Sequence, residues 1–352
     1  MKFQTTNLLL VLGLYLLTLF SGCKAGTESL FSNTISLKGR MLSVGENLGH
    51  VHSIEAVDDY LILTDDHGRT MYTILKPDLS YCFHFGRKGQ GPGEMTQASG
   101  VKMIRNGYLT LSDGYRLYRH SLDSLYRSVD NPVSTPKSKK IDTHVWVADL
   151  SDSVFVATGT FPNGKRFKFL DDKGALLAYE GDYPLEEKTE LPFYIVGVSF
   201  LSMMASHPAS NRFAVGTYYG GMFDVMEWNQ QDFTLHRIGG ICDFKPRLTS
   251  KDYMGTPNFA PDDQTRYGYI HMDSDAEYVY ALYSGRFVKD GENISNIVHV
   301  FDWNGNPVCK ITLDKDVRNF AIAGSKIYAL YEDADIGYEI IEYVLPDNWM
   351  KK

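Results

Sequence analysis

Cysteine is scarce: the 352 residues hold four, at positions 23, 82, 242 and 309. No two are close enough in sequence to suggest a zinc or redox pair, and a disulfide framework cannot be the basis of the fold. Apart from Cys23 the number is odd, so at most one pair can form. Cys82 and Cys309 read as small apolar residues on strands. No apolar run after residue 20 is long enough to cross a bilayer as a helix. Positive charge is also short, with 35 Lys and Arg against 43 Asp and Glu and no basic tract. Phosphate contacts supply most nucleic-acid affinity, so a nucleic-acid partner is not expected. Convincing amphipathic helical periodicity is missing too, which argues against helical and α/β classes. The Gly-x-Ser-x-Gly elbow, the His-Glu-x-x-His helix and EF-hand spacing do not occur.

What is present begins at the N-terminus. Lys2 precedes a largely apolar run from Leu8 to Phe20, followed by Ser21, Gly22 and Cys23. A positive charge, a short apolar core and small residues are the parts of a secretory signal. Thirteen residues would make a helix of only about 20 Å, too short to span. The cysteine behind Phe20-Ser21-Gly22 resembles the lipobox of bacterial lipoproteins. That resemblance implies that residues 1–22 are a signal peptide and that Cys23 is acylated. Residues 23–33 then read as a tether, and the membrane is a partner through the lipid. Lys24 is not the Asp that marks inner-membrane retention, so an outer-membrane location facing the periplasm is expected. Surface display is less favoured, because the tether has no dense acidic run.

Aromatic residues are plentiful, with 23 Tyr and 19 Phe. They lie in short β-branched segments broken by Gly, Asn and Asp, the signature of strands and tight turns. The first unit reads 52–57, 60–65, 69–76 and 81–86, broken by Asp58-Asp59, Asp66-His67-Gly68 and Pro77-Asp78. Four short antiparallel strands of this kind make one propeller blade. The pattern recurs at 100–105, 108–112, 116–120 and 124–129, then at 144–150, 154–160, 166–170 and 175–179. It continues at 195–203, 212–218, 223–228 and 233–238, then at 268–272, 278–283, 297–303 and 307–313. A sixth unit offers only three strands, 317–323, 326–331 and 338–345. An unpaired sheet edge is an aggregation liability, so residues 34–44 are expected to supply the missing outer strand and close the ring. The predicted fold is all-β: a single six-bladed β-propeller of four-stranded antiparallel blades over 34–346. A seven-bladed ring or a pair of β-sandwiches is the alternative.

One motif is specific. The run Gly86-Arg87-Lys88-Gly89-Gln90-Gly91-Pro92-Gly93-Glu94 follows the first unit. Its glycines and basic pair invite a phosphate-cradle reading, but no Gly-Lys-Ser/Thr ending, helix or parallel-sheet pattern accompanies them. A structural role for Gly86, Gly89, Gly91, Pro92, Gly93 and Glu94 is expected, as a loop packed closely between two blades. With the preceding Phe85 and the lipobox, the run resembles the TolB-like six-bladed propeller lipoproteins of Bacteroides-type bacteria. The resemblance implies a six-bladed ring outside the cytoplasm and implies no reaction.

The chemistry is less legible. Asp-Asp pairs at 58–59, 65–66, 171–172 and 262–263 read as turn residues rather than as calcium or acid–base sites. His52, His144 and His271 fall on predicted inner strands and could approach the central channel. No cofactor or metal is predicted. In a propeller, the loops joining second to third strands and each outer strand to the next blade share one face. That face should carry Arg69, Arg87, Lys88, Tyr115, Arg116, Tyr218, Tyr219 and Arg286, and Tyr and Arg are common binding anchors. The insertion at 240–265, with Pro246, Pro257 and Pro261, could fold over the mouth as a lid or docking surface. These readings point to a monomeric envelope binding module for a protein, peptide or carbohydrate. The rival is a propeller enzyme of lyase or lactonase type with a metal or acidic site in the channel.

Overall fold

A computed structural model describes residues 30–349 except 43–47, 58, 77, 79–81, 92–93, 98–101, 106, 113–115, 128–136, 141–145, 292, 334–336 and 348. The Cys23, Tyr115, Pro92, Gly93 and His144 assignments therefore lie outside the described residues. After two short N-terminal strands, β1 (Thr34–Leu37) and β2 (Arg40–Leu42), the first blade is β3 (His50–Val57), β4 (Tyr60–His67), β5 (Thr70–Leu75) and β6 (Cys82–Arg87). The second holds β7 (Lys102–Arg105), β8 (Tyr108–Ser112), β9 (Arg116–Ser121) and, after helix α1 (Leu122–Arg127), β10 (Lys137–Lys140). The third is β11 (Trp146–Ser151), β12 (Val154–Thr158), β13 (Lys165–Asp171) and β14 (Leu176–Asp182). Helix α2 (Phe193–Ser199) leads into the fourth, β15 (Ser202–Ser206), β16 (Arg212–Thr217), β17 (Met222–Asn229) and β18 (Thr234–Cys242). A separate hairpin, β19 (Ser250–Tyr253) and β20 (Thr256–Phe259), precedes the fifth blade. That blade is β21 (Tyr269–Ser274), β22 (Tyr278–Tyr283), β23 (Ser295–Asp302) and β24 (Pro307–Val317). The last comprises β25 (Asn319–Ala323), β26 (Lys326–Asp333) and β27 (Gly337–Val344). The fold is an all-β propeller, with inner strand β25 packed beside β3 where the last blade meets the first.

Ring closure matches the expectation and adds to it. β2 pairs antiparallel with β27, Arg40 opposite Glu342, and gives the last blade its outer strand. β1 instead adds to the fifth blade, parallel to β24, with Thr34 opposite Lys310. One segment thus straps two blades. Gly39 makes the crossing possible, since a Cβ there would collide with Ile341 and Tyr343. Arg40 and Lys326 both bind the Glu342 carboxylate, at 2.9 and 2.8 Å. Burial alone would raise that carboxyl's pKa, but the two cations outweigh it and lower the net value.

Blades pack through large side chains from their second and third strands. Phe169 stacks on Trp228 between blades three and four, and Phe223 on Phe301 between four and five, each with centroids 3.8 Å apart. Burying each such ring stabilises the fold by about 1.5–3 kcal/mol before entropy is counted. Arg166 of β13 is buried against Asp224 of β17 at 3.1 Å, and Arg237 holds the other oxygen of the same carboxylate at 2.7 Å. Cys309 is free and buried, its thiol pushed up to about 11 by desolvation. Cys242 is disulfide-bonded.

Three expectations need correction. Residues 124–129 are not the outer strand of blade two: 122–127 form α1 and the outer strand is β10. Leu122 and Leu125 are buried three residues apart, which is helical spacing, and the Ser121 hydroxyl accepts from the Ser124 N–H. Residues 195–199 are not strand either, despite their β-branched composition. In α2, Ile195, Val196 and Ser199 are buried, and Gly197 sits against Gly159 and Thr160, so packing overrides propensity. Asp65, read as a turn residue, is a fully buried member of β4. Its carboxylate accepts from the Gly49 N–H at 2.7 Å and the Thr73 hydroxyl at 2.7 Å.

Candidate functional site

The inner strands surround a central channel of about 750 Å³. Most of its polar lining is tied across blade boundaries. The Ser206 hydroxyl donates to Asp149 at 3.3 Å, and Ser274 donates to the Ser206 carbonyl at 3.0 Å. Asp273 accepts from the Ile322 N–H at 2.7 Å, and Asn319 Oδ1 accepts from the Ile54 N–H at 2.9 Å. This belt links inner strands β11, β15, β21, β25 and β3. Because Asn319 Oδ1 is taken, its Nδ2 is the donor 2.7 Å from His271 Nδ1. His271 Nε2 then carries the proton and donates to the Phe320 carbonyl at 2.7 Å. Both ring nitrogens are engaged, so His271 locks two blades together. Among the described residues no cluster of three or more His, Cys, Asp or Glu is placed to hold a metal ion. His52 lines the channel higher up; its pKa is lowered by burial and by neighbouring His50, against the pull of Asp66.

The mouth has different chemistry. Tyr218 and Tyr219, on the turn between β16 and β17, line it with Asn293 and Arg318. Asn293 donates to the Tyr218 hydroxyl at 2.9 Å, and Arg318 pairs with Glu332 at 2.9 Å. Tyr218 packs edge-on to Tyr219 and to Tyr267, with centroids 4.8 and 5.5 Å apart. Phe259 of β20 extends the shelf, 5.0 Å from Tyr219. Burial raises the pKa of all three tyrosines, Tyr218 furthest, so their hydroxyls stay protonated donors.

The insertion that builds this rim is not a structureless loop. Its first residues, Gly240 to Cys242, complete β18, and β19 and β20 form a hairpin. Arg247 grips Asp262 at its base through three hydrogen bonds of 3.1, 3.0 and 2.6 Å, and this pairing lowers the Asp262 carboxyl to about 2. Thr249 donates to the Ala260 carbonyl, and Tyr194 of α2 to Pro257, which seats the hairpin on the blade-four entry. Its tip exposes Tyr253 at 69% and Met254 at 89%, where Met254 has a φ of 54°. A β-turn with two positive φ angles, Met254 and Gly255, makes so short a hairpin possible.

The predicted site residues share this face without converging on one point. Arg69, Arg87 and Lys88 gather on blade one, where the Lys88 N–H donates to the Arg69 carbonyl at 2.8 Å and Lys88 pairs with Asp66. Arg116 is exposed at the start of β9. Arg286 is bound to Asp316 at 2.7 Å, so its charge is matched locally. Among the described members of the set, only Tyr218 and Tyr219 line the channel. The glycine loop is a packing device. Glu94 folds back so that its carboxylate accepts from the Gly91 N–H at 2.8 Å, and a Cβ on Gly89 or Gly91 would strike that carboxylate. Gly86 has a φ of 75° and lies flat on Tyr72. Asn293, Arg318, Tyr267 and Phe259 were not singled out from sequence. Phe259 lies within the proline-rich insertion and Tyr267 just after it, and the insertion was the available signal.

A family model described as TolB-like 6-blade propeller-like matches residues 47–325. Among solved structures, the chain is similar to a protein of Bacteroides fragilis NCTC 9343 described as exported. The two share 9% identity and a TM-score of 0.51 over 89% of this chain and 100% of that one. It is similar also to the WD40 repeats of RRP9, at 8% identity and a TM-score of 0.50, over 88% and 97% of the two chains. At these identities the likeness shows the propeller fold alone. No curated protein matches the chain.

Proposed function

The chain belongs to the TolB-like 6-blade propeller-like family, and from that premise we propose that it is a lipid-anchored binding module of the cell envelope. It is acylated on Cys23 at the outer membrane and recognises a protein, peptide or carbohydrate at the channel mouth. One observation carries the reading: polar groups inside the channel are consumed by bonds between blades, while Tyr218, Tyr219, Asn293 and Arg318 face an open cavity. A concave site with aromatic walls and a few placed polar groups suits binding. A metal centre built on channel histidines finds no support in His271, whose nitrogens are both occupied.

The site is tested by photo-cross-linking in cells, with Tyr219→p-benzoylphenylalanine at the mouth and Phe233→p-benzoylphenylalanine on the opposite face. A defined adduct at 219 that is absent at 233 is expected, and glycan and peptide arrays on the Cys23→Ser protein cover ligands that do not cross-link. Equal labelling at the two positions together with blank arrays sinks the reading. The anchor is tested separately by mass spectrometry of the mature N-terminus. Acylated Cys23 is expected; a Cys23 without the acyl group overturns the anchor.

A further inference from the structure

The propeller has two unlike faces. Strand-two-to-three loops and the crossings between blades form the mouth face, which carries Tyr218, Tyr219 and the β19–β20 hairpin. The other face holds the tight turns, such as Asp302 to Asn306 between β23 and β24 and Asn229 to Thr234 between β17 and β18. We infer that the strap of residues 30–42 decides how a chain held at a bilayer by its N-terminus is turned, with the tight-turn face toward the lipid and the aromatic mouth away from it. The inference rests on the N-terminal anchor proposed above.

The direction of β1 carries it. β24 rises from the Asp302–Asn306 turn toward Val317 at the mouth, and β1 runs parallel to it, with Thr34 opposite Lys310 and Leu37 opposite Leu313. Residue 34 is therefore the end nearer the tight turns, and the chain reaches the propeller from that side. Phe31 agrees, since its ring lies 4.3 Å from His299 and 5.6 Å from Phe301, near the turn end of β23. The strap is tied down there. Lys310 N–H donates to the Asn33 carbonyl at 2.9 Å, and Asn33 Nδ2 donates to the Trp349 carbonyl at 2.7 Å. Phe31 is itself buried.

Reach and charge complete the argument. The six residues 24–29 can extend at most about 25 Å from Cys23 to Leu30. An eight-residue strand such as β23 already makes the propeller about 27 Å deep. A tether leaving the turn face is exhausted before the mouth can meet the same bilayer. The turn face exposes Asp59, Asp78, Asp152, Asp232 and Glu277 against Lys76 and Lys173, and anionic headgroups repel this acidic excess, so the domain stands off on its tether. A ligand of the mouth must then arrive through water, and the lipid of the anchoring leaflet is excluded as its occupant.

The test is energy transfer from a dye on the protein to acceptor lipid in phosphatidylcholine–phosphatidylglycerol vesicles. The dye is placed at Phe233→p-azidophenylalanine on the turn face or at Tyr253→p-azidophenylalanine on the hairpin tip, both exposed positions. On the acylated chain, transfer from 233 should exceed that from 253 several-fold. Equal or reversed transfer overturns the inference. A second preparation, with residues 1–22 replaced by ten histidines and bound to nickel-chelating lipid, reads the orientation without acylation. The same ranking there supports the strap even if Cys23 proves unmodified, which would sink the anchor alone. A reversed ranking sinks the orientation and leaves the anchor standing.

Discussion

The channel interior and the channel mouth are a few residues apart and put polar side chains to opposite ends. Inside, His271, Asp273, Asn319 and Ser274 are tied to backbone groups of the neighbouring blade. At the mouth, Tyr218 and Tyr219 line the cavity and pack on one another and on Tyr267 behind them. A polar residue in a propeller channel is thus informative only once its partners are known. Satisfied groups hold the ring shut, because a buried donor left unpaired costs about 1–3 kcal/mol. Groups that line the cavity and are tied only within the mouth can be reached by a ligand.

The comparison can be broken most violently at the strap. Deleting residues 30–42 removes both β1 and β2, bares the edges of two blades, and should give an aggregating product. A soluble product with unchanged melting temperature would show that the ring closes without it. Next comes the buried charge cluster between blades three and four. Asp224→Ala leaves Arg166 buried without its carboxylate and should cost about 3–5 kcal/mol in denaturant unfolding. Within the belt, Asn319→Ala orphans the Ile54 N–H and frees His271 Nδ1, a loss of about 2–3 kcal/mol. By contrast, Tyr219→Ala at the half-exposed mouth should cost about 1 kcal/mol or less of stability while weakening binding of the ligand that the cross-link or the arrays identify. Parity between Asn319→Ala and Tyr219→Ala in stability would erase the distinction between belt and mouth.

Acid sharpens the same contrast. His299 is buried among Phe31, Tyr283 and Phe301, and burial pushes its imidazole down to about 3. The folded value lies below the unfolded one, so the unfolded chain binds the proton first. Stability is then full above about pH 6.5 and falls as pH drops, by about 1.4 kcal/mol per unit toward the folded value. His299→Phe should remove that share of the slope, read as the difference between the two proteins' unfolding curves from pH 7 to 4. Identical slopes would mean that His299 is not held neutral by its burial.

Much of the ring was legible from sequence because strand and turn chemistry is local. Period-two apolar residues and Asn-Gly or Asp-x-Gly turns place β3 to β6, β11 to β14 and β21 to β27 close to their predicted bounds. The failures occur where a distant contact outweighs a local preference. The segment Phe193–Ser199 looks like strand by composition and is helix because its buried side packs against residues some forty positions earlier. Asp65 looks like a turn carboxylate and is buried because Gly49 and Thr73 bring it donors. The site followed the same rule. Tyr218 and Tyr219 were visible as an aromatic pair at a predicted loop, whereas Asn293 and Arg318 are 75 and 100 positions away in chain and meet them only at the channel.

The sequence by itself determined that the chain is all-β and built of repeated four-stranded units, since alternation and turn residues act within a few positions. It also marked the glycine loop as a packing element and the N-terminus as a candidate anchor. Only the tertiary structure decided which channel residues are spent on the belt and which line the mouth. It alone showed that residues 34–42 divide between two blades and in which direction they run. Those outcomes depend on partners hundreds of residues apart, and no local pattern encodes the hydrogen bond between Asn33 and Trp349 or the seat of Phe31 on His299.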